Sequence, residues 1–380
     1  MIQRIAEKKL ETLSKTFRAV AVTGPRQSGK TTLCRALFKQ KPYISLENPS
    51  VLQFAMADPQ GFLSQFPKGA IIDEAQRQPE LFSYLQQILD QNNARRQFIL
   101  TGSNNFLLQQ SITQSLAGRI GYLTLLPLSF DELKMANKMQ ATWYGNAWRG
   151  FYPEIISRRI KPELWYESYI KTYIERDVRL LKNIGNLNLF TRFIQLCAGR
   201  AGQILNVNSI ANDCGIDNKT AQSWLGVLES SYIVFFLKPF YNNYNKQVTK
   251  TPKMYFYDSG LLCHLLRLSN STSIKQSMYK GPVFENLIVA DKIKQKENLG
   301  LATEYYFWRD KTGNEIDLLE DNHKSLRIIE LKSGETINPN FWKTLHYFEK
   351  IHGLPLEKQV IYGGKEEQIR SEGLTIKGWP

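Results

Sequence analysis

Apolar positions along the chain change period several times, and the changes mark its organisation. The first fifteen residues, "MIQRIAEKKLETLSK", alternate charged and apolar positions at helical spacing. "RAVAVT" is then a short continuous apolar run, the pattern of a buried strand, and "TTLCRALFKQ" returns to helical spacing. Further apolar runs follow at Ala70–Ile72 and in "QFILTGSN", and another strand is expected just after Arg119. Short apolar strands alternating with helical stretches predict an α/β domain.

From Trp148 to about Asn183 the spacing is helical and rich in aromatic residues, which predicts a lid or bundle. The run Glu175, Arg176 and Asp177 there reads as a salt-bridged helix face or as a contact to nucleotide or a neighbouring subunit. "SIANDC", "GID", "NKTAQSWLGVLESS" and "YIVFFLKPF" then read as helix, turn, helix and strand, a winged helix-turn-helix candidate. In the last segment "GPVFENLIVADKIKQ" reads as an amphipathic helix. "TEYYFWRD" and "NEIDLLE" read as paired strands around Lys-Thr-Gly, and "SLRIIELKSG" as a third. A helix, "NPNFWKTLHYFEKIHG", and a last strand, "KQVIYGG", close the order. Four segments are expected: 1–147, 148–205, 206–270 and 271–380.

Composition narrows the class. A chain of 380 residues exceeds one ordinary core, and 42% hydrophobic residues suit a globular fold. A formal net charge of +14 with 12% aromatic residues favours a polyanionic partner, nucleic acid ahead of an anionic membrane surface. Cys34, Cys197, Cys214 and Cys263 are scattered, which excludes a zinc ribbon and fits a reducing compartment. The first residues lack a secretion-signal pattern and no apolar run approaches a membrane span, so a cytoplasmic protein without a membrane partner is expected.

The chemistry concentrates in two places. Gly24, Pro25, Arg26, Gln27, Ser28, Gly29, Lys30 and Thr31 spell G-x-x-x-x-G-K-[ST], between a strand and a helix that continues with Thr32. Backbone N–H groups of such a loop cradle phosphates, the lysine reaches the β- and γ-phosphates, and the threonine holds magnesium. A chance match in a strand-turn-helix is the alternative. "KGAIIDEAQ" supplies a second signal: Asp73 at a strand tip to hold magnesium and Glu74 to polarise the attacking water. Ser103 or Asn104, ending the next strand, is placed to sense the γ-phosphate or to cap a helix. Arg119, in an Ala-Gly-Arg turn, reads as an arginine finger toward a neighbouring subunit or as a surface arginine on a turn.

In the last segment Asp317, twelve residues, then Glu330-Leu331-Lys332 form a D-x(n)-E-x-K pattern. Strand alternation puts Lys332 on the face of Glu330, and two carboxylates at adjacent strands can hold magnesium while a lysine orients water. Glu285 on the preceding helix would be a third acid, and the site would take a second Mg²⁺ or Mn²⁺. Ordinary exposed acids on an edge strand are the alternative. In the helix-turn-helix candidate, Asn218, Lys219, Thr220, Gln222 and Ser223 are of types that touch phosphates and base edges, and Lys246 lies where a wing would. Winged helices also dock proteins, so a protein partner stays open.

Together the runs "GPRQSGKTTL", "IIDEAQ", "LTGSN", "LAGR", "KTPKMYFYDSGLL", "GPVFENLIV", "FWRDKTGNEIDLL" and "IIELKSG" resemble the AAA-type P-loop ATPases that carry a C-terminal DUF4143 region. The resemblance implies an α/β AAA+ ATPase domain, a helical and winged-helix middle, and a restriction-nuclease-like α/β domain. It implies ATP and Mg²⁺ as cofactors, with Lys30, Thr31, Asp73 and Glu74 as the nucleotide and magnesium residues. It also implies a homo-oligomer, often a hexamer, with Arg119 as the finger. The family tends to carry a basic pair before "KTPK", where this chain has Gln247. The expected activity is magnesium-dependent ATP hydrolysis coupled to action on DNA. An ATP-gated metal-dependent DNase and an ATP-driven switch that binds a protein are the alternatives.

Overall fold

The computed structural model describes residues 2–91, 98–103, 116–173, 186–240, 251–352, 356–371 and 373–380. They form two compact units, one of residues 1–128, 230–232 and 297–300, the other of 129–229, 233–296 and 301–380.

The first unit is built on five parallel strands: β1 (Ala19–Thr23), β2 (Tyr43–Ser45), β3 (Ile71–Asp73), β4 (Phe98–Thr101) and β5 (Ile120–Thr124). Their order is β2-β3-β4-β1-β5. Every residue of β1 is buried, as expected of a central parallel strand covered on both faces. Ala19 and Ala21 join one core with Phe82, Leu85 and Phe98, while Val20 and Val22 join another with Leu10, Leu33 and Ile99. The period-two alternation of β1 therefore feeds both faces of the sheet.

The second unit is built on one eight-stranded mixed sheet. Its strands are β6 (Val234–Pro239), β7 (Lys253–Phe256), β8 (Glu304–Arg309), β9 (Glu315–Asp321), β10 (Leu326–Lys332), β11 (Glu357–Tyr362), β12 (Gln368–Ile369) and β13 (Leu374–Gly378). They lie in the order β12-β13-β11-β10-β9-β8-β6-β7. β8 and β9 pair antiparallel around the Lys-Thr-Gly turn, as the sequence predicts. Helices Val207–Cys214 and Asn218–Ser230 are also present, with Gly215 left-handed between them (φ 79°).

Three expectations need correction. β11 is not the last strand: β13 pairs parallel with it, and "LTIKG" was too short and too polar to stand out. β6, expected to close the helix-turn-helix segment, pairs parallel with β8 and so belongs to the same sheet as the C-terminal strands. The helix Lys280–Leu299 is not amphipathic: 286–291 are buried without a break, and Asn286, Asp291, Lys294 and Asn298 are buried with its apolar residues. A helix packed on several sides has no polar face to advertise. The aromatic residues of helix Pro162–Tyr169 are core: Trp165, Tyr166 and Tyr169 are buried, and Trp165 stacks on Tyr169 at 4.9 Å. Glu175, Arg176 and Asp177 lie outside the described residues.

Candidate nucleotide site and a second carboxylate cluster

The loop from Gly24 to Gly29 leaves the carboxyl end of β1 and enters helix Lys30–Leu37. Gly24 has φ 137°, and a Cβ there would sit 2.2 Å from the Leu125 carbonyl oxygen, so only glycine fits. Gln27 and Gly29 are also left-handed, at 62° and 95°. Arg4 pins the loop from outside, its guanidinium donating to the carbonyls of Ser28 and Leu126, both at 2.7 Å. Arg26 is turned to Glu47 at 2.9 Å.

Lys30 is buried and donates to the loop's own carbonyls, Gly24 at 2.9 Å and Pro25 at 2.8 Å. Burial pulls its ammonium down to about 8, against the opposing fields of Glu74 and Asp73. Thr31 donates to both oxygens of Asp73, at 3.2 and 3.1 Å, and Thr32 follows it on the same helix. The threonine and aspartate that the sequence named as magnesium ligands are thus neighbours, brought together by β1 and β3 lying on either side of β4.

Sequence reasoning missed two partners of Asp73. Tyr43 donates to Oδ2 at 2.7 Å, and Thr101, at the tip of β4, donates to Oδ1. Thr101 ends β4 at the carboxyl edge of the sheet, so a register argument would have found it, whereas Tyr43 opens β2 two residues before the position opposite Asp73. Glu74 takes a left-handed backbone (φ 55°), an uncommon conformation for a residue with a side chain. Its Oε2 accepts from Ser103 at 3.1 Å and from Gln76. Asn104 lies outside the described residues.

Arg119 is not near this loop. It precedes β5, which runs parallel to β1 with Ala19 opposite Ile120. That places it at the amino edge of the sheet, about five residues of strand, roughly 16 Å, from Gly24. There it pairs with Asp90 beside a depression lined by Phe17, Arg18 and Gly118.

The second cluster lies in the other unit. Glu315 and Asp317 share one face of β9, and Glu330 and Lys332 share one face of β10. The antiparallel register pairs Ile329 with Leu318, so the next step sets Glu330 opposite Asp317. Carboxylate oxygens of Glu285, Glu315 and Asp317 fall within 4.8 Å of one another. Asp317 also accepts the N–H of Leu331 at 2.8 Å, and Lys332 pairs with Glu330 at 2.5 Å. Burial, then the charges of Glu330 and Glu285, hold the Asp317 carboxyl well above the usual range, and burial pushes Glu330 up to about 6. Glu315, Lys253 and Tyr255 were not foreseen here. Glu315 could have been, since it stands two residues before Asp317 on a strand.

The proposed DNA-contacting residues are arranged unevenly. Lys219 and Gln222 are exposed, but Gln222 donates to Asn218 at 2.8 Å and Thr220 to Asp217 at 2.6 Å, while Asn218 donates to Asn208. Asp217 also accepts the Thr220 N–H at 2.9 Å, so Thr220 helps close the helix start. Lys246 lies outside the described residues.

Residues 16–134 match the AAA domain family, and the fold and loop above are those of that P-loop class. Residues 141–272 and 280–380 match two domains of unknown function, DUF8612 and DUF4143. The chain therefore combines an AAA-type P-loop domain with a C-terminal DUF4143 region. Uncharacterized proteins of Mycobacterium bovis and Mycobacterium tuberculosis are each 30% identical over 303 residues, 79% of this chain and 66% of theirs. The chain thus spans just under two thirds of those relatives. An uncharacterized protein of Haemophilus influenzae is 24% identical over 285 residues, 64% of this chain and 68% of its own. Among solved structures, a Walker-type ATPase of Pyrococcus abyssi has a TM-score of 0.45 at 15% identity, covering 70% of this chain and 96% of that one. The Thermotoga maritima RuvB Holliday junction branch migration motor has 0.32 at 18%, covering 60% and 88%. Among the described residues no helix is long and apolar enough to cross a membrane.

Proposed function

We propose that this protein is a magnesium-dependent ATPase, working as a homo-oligomer that acts on DNA in the cytoplasm. The observation that carries the ATPase reading is the contact of Thr31 with Asp73 beside a buried Lys30. With ATP bound, Lys30 would leave the carbonyls of Gly24 and Pro25 for the β- and γ-phosphates. The loop N–H groups of residues 24–31, with Thr32 next along the helix, would cradle the phosphates. Thr31 and Asp73 would hold Mg²⁺, which supplies neutralisation of the phosphate charge. Glu74 would orient the attacking water and take its proton, with Ser103 steadying its carboxylate.

The position of Arg119 supports its use in a neighbouring subunit's site, because it stands at the wrong edge of the sheet to serve its own. That reading implies a ring, with a hexamer the usual closure for such fingers. Four free, buried cysteines support a reducing compartment.

For DNA, the support is the formal charge of +14 and the pair of helices with Lys219 exposed at the second helix start. The antiparallel pair β6–β7 after those helices supports a wing. The shared acid face of β9 and β10 supports a nuclease-like platform. A second Mg²⁺ or Mn²⁺ at that face would make the protein an ATP-gated DNase, and a protein partner at the helix pair would make it a switch. The test is the ATPase rate with no DNA and with single-stranded, duplex and branched DNA. Stimulation by one form supports the proposal; an unchanged rate with all three, with ATP still hydrolysed, favours the protein-partner reading.

A further inference from the structure

Lys253 opens β7, opposite Leu237 of β6 and bridged on its other side to Ile204. A lysine at the start of a strand ordinarily reaches water, yet this one is 1% exposed. Its ammonium lies among the acids of the second cluster. Nζ is 2.9 Å from Glu285 Oε1 and pairs equally directly with Glu315 Oε1. Tyr255, two residues on along the same face, donates to Glu285 at 2.6 Å. The other oxygen of Glu315 is 3.0 Å from Arg309.

Two of the three carboxylates that come within 4.8 Å of one another therefore already share a cation. A divalent ion bound by carboxylates at about 2.1 Å has to sit where those oxygens converge. Here an ammonium already stands between two of those carboxylates, Glu285 and Glu315, on a stem fixed by a strand and buried to its end. β6 and Ile204 hold its backbone on both sides, and its side chain is buried between them and the acids it pairs with. Three cations, Lys253, Arg309 and Lys332, face the four carboxylates Glu285, Glu315, Asp317 and Glu330, which leaves one formal negative charge without a metal. One acceptor remains over: Glu330 Oε2 is buried and has no hydrogen-bond partner among the described residues.

We propose that Lys253 is the resident cation of this cluster, an intramolecular replacement for a catalytic metal that keeps the C-terminal domain from taking up Mg²⁺ or Mn²⁺. The inference deepens the reading of that domain as a platform that holds DNA without cutting it, and it is independent of ATP hydrolysis. It assigns Lys253 a positioning role on Glu285 and Glu315.

The test is Mn²⁺ binding to the full chain by electron paramagnetic resonance, without nucleotide, in an Asp73→Asn background that silences the P-loop. The chain with Lys253 intact should show no saturable site up to about 1 mM Mn²⁺. Lys253→Met, close in shape and uncharged, should gain one site per chain, at least tenfold tighter, and lose it again on addition of Glu285→Gln. Lys253→Arg should stay silent. A site in the Lys253 chain that Glu285→Gln or Asp317→Asn removes would overturn the proposal, and so would a folded Lys253→Met chain that binds no Mn²⁺. Should Lys253→Met fail to fold, the titration of the Lys253 chain still decides by the same criterion. Mn²⁺ binding here, with ATP still hydrolysed by the chain that keeps Asp73, would sink this inference and leave the ATPase reading standing.

Discussion

Arg119 and Asp90 form a two-point ion pair, Nε to Oδ1 at 2.6 Å and Nη2 to Oδ2 at 2.9 Å. The pair lies at the amino edge of the sheet, while the P-loop follows its carboxyl edge. A finger used in another subunit would have to be held in such a place, oriented but accessible. Arg119→Ala should leave nucleotide affinity within about twofold and lower hydrolysis roughly 10³-fold or more. Mixing it with Glu74→Gln chains should restore part of the rate, since some mixed interfaces hold one intact site. Absence of rescue, with oligomers verified by sedimentation, counts against a finger between subunits. Asp90→Asn should leave nucleotide binding unchanged, because Asp90 is remote from the loop.

Lys30→Ala should weaken ATP binding and abolish turnover, and Glu74→Gln should keep binding while stopping hydrolysis. The two are separated by measuring nucleotide affinity with a fluorescent analogue beside phosphate release. A Glu74→Gln chain that turns over at the wild-type rate would mean the water is oriented by another group.

Gly24→Ala should cost about 1–3 kcal/mol, since its Cβ would meet the backbone of Leu125 rather than a movable side chain. That is a fall in Tm of several degrees for a unit of this size, and phosphate binding should be lost with it. Gly226→Ala is the contrast. It sits inside helix Asn218–Ser230 with nothing within 4 Å of an added Cβ, so it should be neutral or slightly stabilising. Thermal melts of the two variants check both.

Asp291 gives a pH dependence. It is buried, and its oxygens accept from Phe130 N–H at 2.7 Å and Gln295 at 2.9 Å. Burial pushes its carboxyl up to about 6, against the field of Lys294, with Lys292 lowering it and Asp131 raising it further. The folded chain therefore keeps a proton that the unfolded chain loses above 3.8, and stability falls as pH rises from about 4 to 6. Asp291→Asn keeps the acceptor for Phe130 and removes that fall. It should be more stable than wild type at pH 7.5, by at most about 3 kcal/mol, with the difference vanishing near pH 4. An equal difference at both pH values would show that the carboxylate is not strained by burial.

DNA affinity should fall steeply with salt, because phosphate contacts release counterions. Lys219→Ala should weaken binding to all sequences about equally and lower the slope of log K against log salt by about one, and Lys246→Ala should do the same. A flat salt dependence, or no binding at low salt, would move the reading toward a protein partner.

The nucleotide loop was legible in the sequence because its chemistry is local. Gly24, Gly29, Lys30 and Thr31 sit within one turn, and the backbone angles that shape the cradle are dictated by residue type. Strand alternation likewise put Lys332 on the face of Glu330, since side chains on a strand repeat every two residues. Tertiary structure decided whatever depends on which strands become neighbours. Asp73 meets Tyr43 and Thr101 only because β3 lies between β2 and β4. β6 joins the C-terminal sheet through hydrogen bonds to β8, which no local pattern announces. Lys253, some sixty residues before Glu315, looks in the sequence like one more surface lysine. Only the packing of β7 beside the helix Lys280–Leu299 turns its charge inward, where desolvation would be costly without Glu285 and Glu315 to meet it.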